Sequence, residues 1–387
     1  MSDIVTLNGY KIKDEKAVRS YDNVALMKAD TKLKEGYQVK TKGYEILNDG
    51  KSNSYFIRGR NEIDIEDGEN IIFLNNGNVA EKIKKYIRKF TPKIFYSVNW
   101  AGQSGGVDYT ASDESRQDIV NKMKESGFDG FILPIQTKWN STTNHFEIIN
   151  DLDDDLEYAL LSASNKVPLH ALKIHHSGYD TSTILSHQST FISDMKLIID
   201  FLYNKFSEVT TIEYLTILNE LTPLFIDSNN ISLINDLLNY AKGKGYKTGI
   251  TSAGANYFNR IPNDIIENSD ILAINQYVRI GSKRENTTIN DSIVSWNNDQ
   301  YNDWIEYYQG RYRNKKFIIS ETGCKNYWEA LQSPSSYNFT SEEAPNDLAQ
   351  LIYYEGMFNQ CKYVDEVWLW FEIPNVSIFN KYLRGEE

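Results

Sequence analysis

The sequence has very few of the residues that build cross-linked or metal-held folds. Only two of its 387 residues are cysteines, Cys324 and Cys361, which is too few for a disulfide framework. It contains no Cys-x-x-Cys pair and no His-Glu-x-x-His motif, the usual signs of a zinc site. We therefore expect a fold held by its apolar core, with no structural metal and no cofactor, although the acidic loops leave an incidental Ca²⁺ open.

Long apolar runs and an excess of positive charge are also missing. No run approaches the ~18 apolar residues of a membrane span. The first ten residues, MSDIVTLNGY, lack the basic and apolar stretches of a secretory signal. The 41 basic and 53 acidic side chains give a net charge of −12, which argues against binding nucleic acid through its phosphates. We expect synthesis in a cytoplasm without an export signal, and neither a membrane nor a nucleic acid as partner.

The apolar material that is present suffices for a large folded core. Hydrophobic residues make up 41% of the chain, and its aromatic side chains comprise 7 Trp, 26 Tyr and 17 Phe. The length is more than twice the ~150 residues of a typical domain. The sequence therefore predicts either one large barrel with a small appendage or two to three domains.

Residues 1–80 read as a small β-rich α+β domain of short segments separated by turns. Its expected strands are 5–11, 37–40, 44–47, 55–57 and 71–74. One helix is expected over VALMKAD, with Asp22 or Asn23 as its N-cap. The region is small for a stable lone domain, so we expect it to pack against something or to oligomerise. Residues 81–92, part of a Lys-rich amphipathic stretch from residue 79, are expected to form a linker helix.

A different pattern occupies residues 93–387. Eight apolar runs of strand length recur, most of them followed by a longer amphipathic segment: 93–99, 128–135, 168–175, 213–219, 246–252, 270–277, 316–322 and 366–371. Continuous apolar strands indicate parallel strands buried on both faces. Eight strand–helix units predict an α/β fold of the (β/α)8 TIM-barrel type. A doubly wound open sheet is the main alternative, but no Gly-x-Gly-x-x-Gly follows the first strand.

Chemistry in such barrels lies at the carboxyl ends of the strands. Strand 4 ends in LTILNE, which places Asn219 and Glu220 at that end, and strand 7 ends in FIISETG, which places Glu321 there. Glycoside hydrolysis needs two carboxyl groups that flank the scissile bond, about 5 Å apart for retention of configuration and farther apart for inversion. The sequence therefore offers a pair of glutamates suited to that reaction. A single strand-end glutamate is more often part of a loop salt bridge.

These two motifs, at these strand positions, resemble the clan A (β/α)8 retaining glycoside hydrolases. The resemblance covers roughly residues 93–387 and implies that Glu220 is the acid/base and Glu321 the nucleophile. It further implies that Asn219 would bind the sugar 2-hydroxyl and that Tyr277 would orient Glu321. The remaining candidates for substrate contact are Trp370 and Trp100, which would offer flat faces to a sugar, and His175.

Several features near these motifs have simpler explanations. Asp151–Glu157 contains an Asp-x-Asp-x-Glu pattern of the chitinase type, but it follows no apolar strand and is expected to begin a helix. The other histidines, His145, His170, His176 and His187, are expected in the core or at the surface. Trp368 and Trp370 are expected to divide between the barrel interior and the helices, with Trp370 chosen for the site because it lies nearer the strand end.

The N-terminal region carries a second resemblance. The segment YDNVALMKAD, the strand pair LKEGYQVKTKGY and the NDG turn before SYFIR resemble a module of tail-fibre and tail-spike proteins of phages that infect Gram-positive bacteria. The usual extra glycines after the turn are replaced here by KSN. The resemblance implies attachment to other tail or baseplate proteins in a virion and a homo-oligomer, with a trimer favoured. It would also account for the missing signal, since phage proteins leave the cell by lysis.

Together these features predict a phage-tail-associated glycoside hydrolase that cleaves a bacterial surface polysaccharide with retention of configuration. Two alternatives stay open. The barrel could grip a host glycan without cleaving it, as a receptor-binding tail protein. The chain could also be a cytoplasmic or cell-associated glycosidase with no relation to phage. The sequence leaves the sugar, the linkage, endo or exo action and the oligomer number undecided.

Overall fold

The structure is a computed structural model, and it describes most of the chain. The described residues are 5–7, 10–12, 19–35, 37–47, 53–60, 66, 68, 71–82, 93–97, 113–258, 260–281, 287–312, 314–335, 346–361 and 363–370. Within these ranges, no helix is both long enough and apolar enough to span a membrane. The contacts divide the chain into two compact units, Met1–Ile87 with Glu306–Arg313, and Arg88–Ile305 with Asn314–Glu387.

The described residues between 5 and 82, in the first unit, form two small sheets and one short helix. Strands β1 and β2 pair antiparallel, and the other five form a sheet in the order β3-β4-β5-β7-β6, with only β3 and β4 parallel. Helix α1 (Val24–Ala29) begins at Asn23, whose side chain accepts from the Leu26 amide. The seven strands are β1 (Val5–Leu7), β2 (Tyr10–Ile12), β3 (Arg19–Tyr21), β4 (Gln38–Thr41), β5 (Asn53–Arg58), β6 (Ile71–Phe73) and β7 (Val79–Lys82).

A core of this unit lies between α1 and the five-stranded sheet, and it explains where the sequence predictions fail. Its buried members include Met27 of α1 and Tyr55 of β5. The strand expected over 5–11 is instead an antiparallel pair, β1 and β2. Segment 44–47 is not a strand, because its backbone turns to cap α1: the Val24 amide donates to the Tyr44 carbonyl. The N-cap prediction at Asn23 is confirmed.

The basic stretch from residue 79 begins as a strand rather than as helix. Val79 and Ala80 are fully buried in β7, which pairs with both β5 and β6. Two flanking strands satisfy the backbone groups of residues 79–82, so sheet pairing outweighs the amphipathic pattern there. The rest of the expected linker helix, 83–92, lies outside the described residues.

The second unit is a closed barrel of eight parallel strands, as the sequence predicts. The strands follow one another around the barrel in chain order, and β8 closes it by pairing with both β16 and β9. An antiparallel strand, β10 (His145–Ile148), extends β9 outside the barrel wall. The barrel strands, first to eighth, are β8 (Lys93–Ser97), β9 (Gly130–Asn140), β11 (Leu169–Ser177), β12 (Tyr214–Asn219), β13 (Lys247–Ser252), β14 (Ile271–Asn275), β15 (Lys316–Thr322) and β16 (Glu366–Leu369).

Helices cover the outside of this barrel. Helix α7 shows why they form: its buried side chains Leu233, Ile234, Leu237, Leu238 and Ala241 recur at helical spacing, and the chain turns at Gly245 with φ 95°. The helices are α2 (Asp113–Glu125), α3 (Leu152–Ser164), α4 (Thr181–Ser186), α5 (Gln188–Lys205), α6 (Thr222–Phe225), α7 (Ile231–Gly243), α8 (Ala255–Phe258), α9 (Asn263–Asn268), α10 (Ile289–Asn298), α11 (Gln300–Arg311) and α12 (Asp347–Cys361).

The inside of the barrel is packed with side chains rather than open. One buried cluster takes a residue from each of several strands, among them Phe95, Ala171, Ala273 and Trp368. Space is tight enough to require glycine at one position. A Cβ on Gly249 of β13 would lie 2.1 Å from the carbonyl oxygen of Ile271 on β14. The filled interior leaves the carboxyl ends of the strands as the place for a site.

Candidate active site

Glu220 and Glu321 line one cleft at the carboxyl ends of the barrel strands. Glu220 directly follows the fourth barrel strand, β12, and Glu321 lies near the end of the seventh, β15. The cleft has a volume of about 530 Å³, and most of its lining side chains are polar. Its lining residues are Glu220, Ala253, Gly254, Ala255, Asn256, Asn275, Gln276, Tyr277, Gln300, Glu321 and Ser335. The lining therefore suits a polar ligand.

Glu321 is the more buried carboxylate and is surrounded by hydrogen-bond donors. Its side chain is 8% exposed. Lys173 Nζ donates to Oε1 at 2.6 Å, and Tyr277 Oη donates to Oε2 at 3.4 Å. His175 Nε2 lies 3.5 Å from Oε1. Lys173 and Tyr277 thus each hold one oxygen of the Glu321 carboxyl group, which fixes its position in the cleft.

Glu220 lies in a different environment. Solvent reaches it through the cleft, and Asn275 Nδ2 donates to its Oε1 at 2.8 Å. Burial of the carboxyl group in the cleft walls raises the pKa of Glu220 above its ordinary value, and the negative charge of Glu321 adds to that rise. Its backbone has φ 58°, a left-handed conformation unusual for a non-glycine residue, and its amide donates to the Thr251 carbonyl of β13. The two glutamates thus lie in different surroundings: Glu321 is buried against Lys173, whereas Glu220 is reached by solvent.

Two polar residues of the site, Lys173 and Asn275, were not predicted from the sequence. Lys173 is fully buried on the third barrel strand, β11, where it contacts Asn275 Oδ1 at 3.2 Å and the Ser320 carbonyl at 2.9 Å. Burial lowers the pKa of Lys173, while the charge of Glu321 acts to raise it. Asn275 ends the sixth strand, β14. The available signal was alternation: Lys173 lies two residues after an inward-facing alanine and two before His175.

A local irregularity in β15 helps to bring Glu321 to Lys173. The pairing of β15 shifts register between Ile319 and Thr322 on one side, and against Asn275 on the other. Such bulges can bring consecutive side chains to one side of a strand. Ser320 Oγ donates to Asn275 Oδ1 at 2.8 Å, and the next residue, Glu321, accepts from Lys173, which itself contacts Asn275.

The structure brings some of the other predicted site residues into the cleft region and places others away from it. Asn219 and Tyr277 lie in the site: Asn219 Oδ1 accepts from Asn275 at 3.3 Å, and Tyr277 contacts Glu321. His175 also belongs there, since it lies between Asn219 and Glu321. Trp100 lies outside the described residues. Trp370 is 2% exposed, and its ring stacks on His175 at 5.4 Å between centroids. It therefore packs behind the site's histidine rather than presenting an open face.

The expected division of Trp368 and Trp370 between two faces is wrong. Residues two apart on a strand point the same way. Trp368 belongs to the interior cluster, and its Nε1 donates to Glu366 at 3.0 Å. Trp370, one step nearer the strand end, reaches His175 on the same inner side.

The competing motifs are structural, as expected. Asp151 is the N-cap of α3, where its side chain accepts from the Asp153 and Asp154 amides, so the Asp-x-Asp-x-Glu pattern starts a helix. His170 is buried against Glu366, and His145 pairs with Asp194. Among the described residues, no group of three or more histidine, cysteine or acidic side chains is arranged to hold a metal ion.

Comparison with known proteins finds similarity in fold but not in sequence. No protein-family profile matches the chain, and no match appears among curated proteins. A solved structure of a GH113 β-1,4-mannanase is similar with a TM-score of 0.58 and 11% identity, over 76% of this chain and 98% of that one.

Two further solved structures are similar at lower scores. A GH5_18 protein from Bifidobacterium longum subsp. longum ATCC 55813 has a TM-score of 0.48 and 14% identity, over 72% of this chain and 70% of its own. A β-glucuronidase from an uncultured Clostridium sp. has a TM-score of 0.46 and 12% identity, over 83% of this chain but half of its own length. The likeness to the mannanase structure, together with the closed barrel of eight parallel strands, confirms the expected (β/α)8 fold.

Proposed function

We propose that the chain is a retaining glycoside hydrolase in which Glu321 is the nucleophile and Glu220 the acid/base. One observation carries the proposal: glutamates at the ends of the fourth and seventh strands line a single cleft in opposite electrostatic settings. Lys173 and Tyr277 donate hydrogen bonds to Glu321, and His175 Nε2 lies 3.5 Å from it. Burial and the charge of Glu321 raise the pKa of Glu220. A glutamate with a raised pKa is suited to the role of the acid, and its fixed partner is suited to the role of the nucleophile.

The reaction follows from these assignments in two steps. In the first, a Glu321 carboxylate oxygen bonds to the anomeric carbon while the glycosidic C–O bond breaks, and Glu220 gives its proton to the departing oxygen. In the second, Glu220 takes a proton from water, whose oxygen attacks the anomeric carbon and releases Glu321. The proton lost from Glu220 in the first step is thereby restored, so no cofactor is consumed.

The surrounding residues would position the sugar and the nucleophile. Tyr277 holds one oxygen of Glu321, which leaves the carboxylate fixed in orientation. Asn219 lies beside Glu220 in sequence and within 3.3 Å of Asn275, near where the hydroxyl next to the anomeric carbon would lie. Bonds to that hydroxyl strengthen as the ring becomes oxocarbenium-like, which is the role we assign to Asn219.

We further propose a bacterial surface polysaccharide as the substrate and a phage tail as the location. The support is the N-terminal resemblance to tail-fibre and tail-spike modules, which fits attachment to tail proteins and a homo-oligomer, with a trimer favoured. A virion that carries a glycosidase could cross the polysaccharide outside a host cell. The similar mannanase suggests β-1,4-mannan as a reasonable first probe among polysaccharides.

The test is release of reducing ends from a panel of Gram-positive surface polysaccharides and β-1,4-mannan. We expect cleavage by the wild type, with the first-formed product keeping the anomeric configuration of the substrate in ¹H NMR spectra. Both Glu220→Gln and Glu321→Gln should abolish it. Glu213→Gln is the matched control, because Glu213 lies at the opposite end of the same strand and pairs with Lys247.

The outcomes separate the competing functions. Cleavage with inverted product would refute the retaining mechanism. Cleavage that persists in both active-site variants would refute the site. Polysaccharide binding that survives both substitutions, without release of reducing ends by the wild type, would instead identify a glycan-binding tail protein.

A further inference from the structure

Lys173, Asn275, Asn219, His175 and Glu321 form a closed ring of polar contacts beneath the cleft. Consecutive members lie 3.2, 3.3, 3.4 and 3.5 Å apart, and the ring closes at 2.6 Å between Glu321 and Lys173. We infer that Lys173 is a positioning residue that sets the direction of every hydrogen bond in this ring. The purpose assigned to the ring rests on the proposed glycosidase function, but its geometry does not.

The direction is set first at Asn275. A lysine ammonium group donates hydrogen bonds and cannot accept them. The Asn275 atom that faces Lys173 must therefore be its carbonyl oxygen, Oδ1, and Ser320 Oγ also donates to that oxygen. This leaves the Asn275 NH₂ group facing the cleft, where it donates to Glu220 Oε1 at 2.8 Å and to Asn219 Oδ1 at 3.3 Å.

The orientation of Asn275 in turn fixes the orientation of Asn219 and the tautomer of His175. Because Asn219 presents its oxygen to Asn275, its NH₂ group must face the histidine, 3.4 Å from His175 Nδ1. Nδ1 is then an acceptor, so a neutral His175 carries its proton on Nε2. Burial lowers the pKa of His175 well below its ordinary value, and the charge of Lys173 lowers it further, so the imidazole of His175 is neutral. Its Nε2 lies 3.5 Å from Glu321 Oε1 without forming a hydrogen bond.

The consequence is that one buried cation orients both catalytic carboxyl groups. Lys173 binds Glu321 directly, and through its contact with Asn275 it turns a donor toward Glu220. Without Lys173, Asn275 could rotate and present its carbonyl oxygen to Glu220. The titratable groups that face Glu220 and Glu321 in the described structure are Lys173, His175 and Tyr277, together with the two glutamates themselves.

The test reads the histidine tautomer by ¹⁵N NMR in the full chain labelled at its five histidines. The His175 signals are assigned by loss in His175→Gln. In the wild type we expect neutral His175 with its proton on Nε2 between about pH 5 and pH 8. Ser320→Ala, which keeps Lys173, should leave that tautomer unchanged. Lys173→Met should convert it to a mixture or to the Nδ1–H form. The exposed His145 is an internal control.

A second set of variants tests the same inference in case Lys173→Met folds poorly. Asn275→Leu breaks the ring at the next link and should give the same tautomer change, and Lys173→Arg should restore the Nε2–H form. In activity assays Lys173→Met should lower kcat about 10- to 100-fold through misplaced groups. It should also move the alkaline limb of the pH profile upward, because Lys173 acts to lower the pKa of Glu220.

Two results would overturn the inference. One is a wild-type His175 protonated on Nδ1. The other is an Nε2–H tautomer that persists in both Lys173→Met and Asn275→Leu. Since the tautomer measurement needs no substrate, a chain that cleaves no glycan but shows the expected tautomers would refute the proposed function and leave the ring intact.

Discussion

Replacing Glu220 with glutamine isolates the proton that the proposed acid/base transfers. Glutamine has nearly the same shape, and its carbonyl oxygen can still accept the Asn275 hydrogen bond that spans 2.8 Å. Because that contact is kept, the main loss is the acid itself. General acid catalysis contributes about 10²- to 10⁴-fold, or roughly 2.7 to 5.4 kcal/mol in the activation free energy.

The dependence on leaving group tells the two glutamates apart. An oligosaccharide leaving group needs protonation, whereas dinitrophenolate departs without it. We expect Glu220→Gln to lose about 10²- to 10⁴-fold in kcat/KM on an oligosaccharide and less than about tenfold on the matching dinitrophenyl glycoside. Glu321→Gln, which removes the nucleophile, should lose activity on both. Equal losses of Glu220→Gln on the two substrates would refute the acid/base assignment.

The pH profile gives an independent check on Glu220. The acid must be protonated in the first step, so activity should fall as the pH rises through the Glu220 pKa. Since burial and Glu321 raise that pKa, the alkaline limb should lie above the ordinary range of glutamic acid. Glu220→Gln should remove this limb from the residual activity on the oligosaccharide, and the dinitrophenyl glycoside, whose leaving group needs no proton, should not show it even with the wild type. A limb that persists unchanged would assign it to another group.

Two further predictions concern stability and can be checked by urea unfolding. Gly249→Ala should destabilise the chain by about 1 to 3 kcal/mol or more, since its Cβ would meet the Ile271 carbonyl oxygen at 2.1 Å. Gly243→Ala, in α7 with no atom within 4 Å of the new Cβ, is the control and should be neutral or stabilising; similar free energies for the two would contradict the packing argument. Asn23→Ala should cost about 1 kcal/mol through loss of the α1 cap, measured in the first unit's transition, and Asn23→Asp should retain most of it.

The barrel could be predicted from sequence because its strands are buried on both sides. Such strands are continuous apolar runs, and all eight runs became barrel strands. Glu220 and Glu321 could be found for the same reason, since each directly ends or follows such a run. Position along a strand was enough to identify them.

Lys173 could not be identified in the same way. A lysine within an apolar strand normally suggests an edge or a bend, and nothing local in the sequence shows that Glu321 would lie beside it. The two are 148 residues apart and meet only because the barrel closes. Segment 44–47 failed for a related reason: its backbone is used by α1, a partner that periodicity does not reveal.

The left-handed backbone at Glu220 lowers the stability of the fold at the position of the proposed acid/base. At a φ of 58°, a residue that has a side chain is less stable than glycine by a free energy on the order of 1 kcal/mol. A chain selected only to hold a glycan would gain heat resistance by exchanging this glutamate for glycine. Glu220→Gly should accordingly be inactive yet at least as resistant to heat as the wild type. Under the proposed function, the glutamate at this position would be retained for catalysis at some cost in thermal stability.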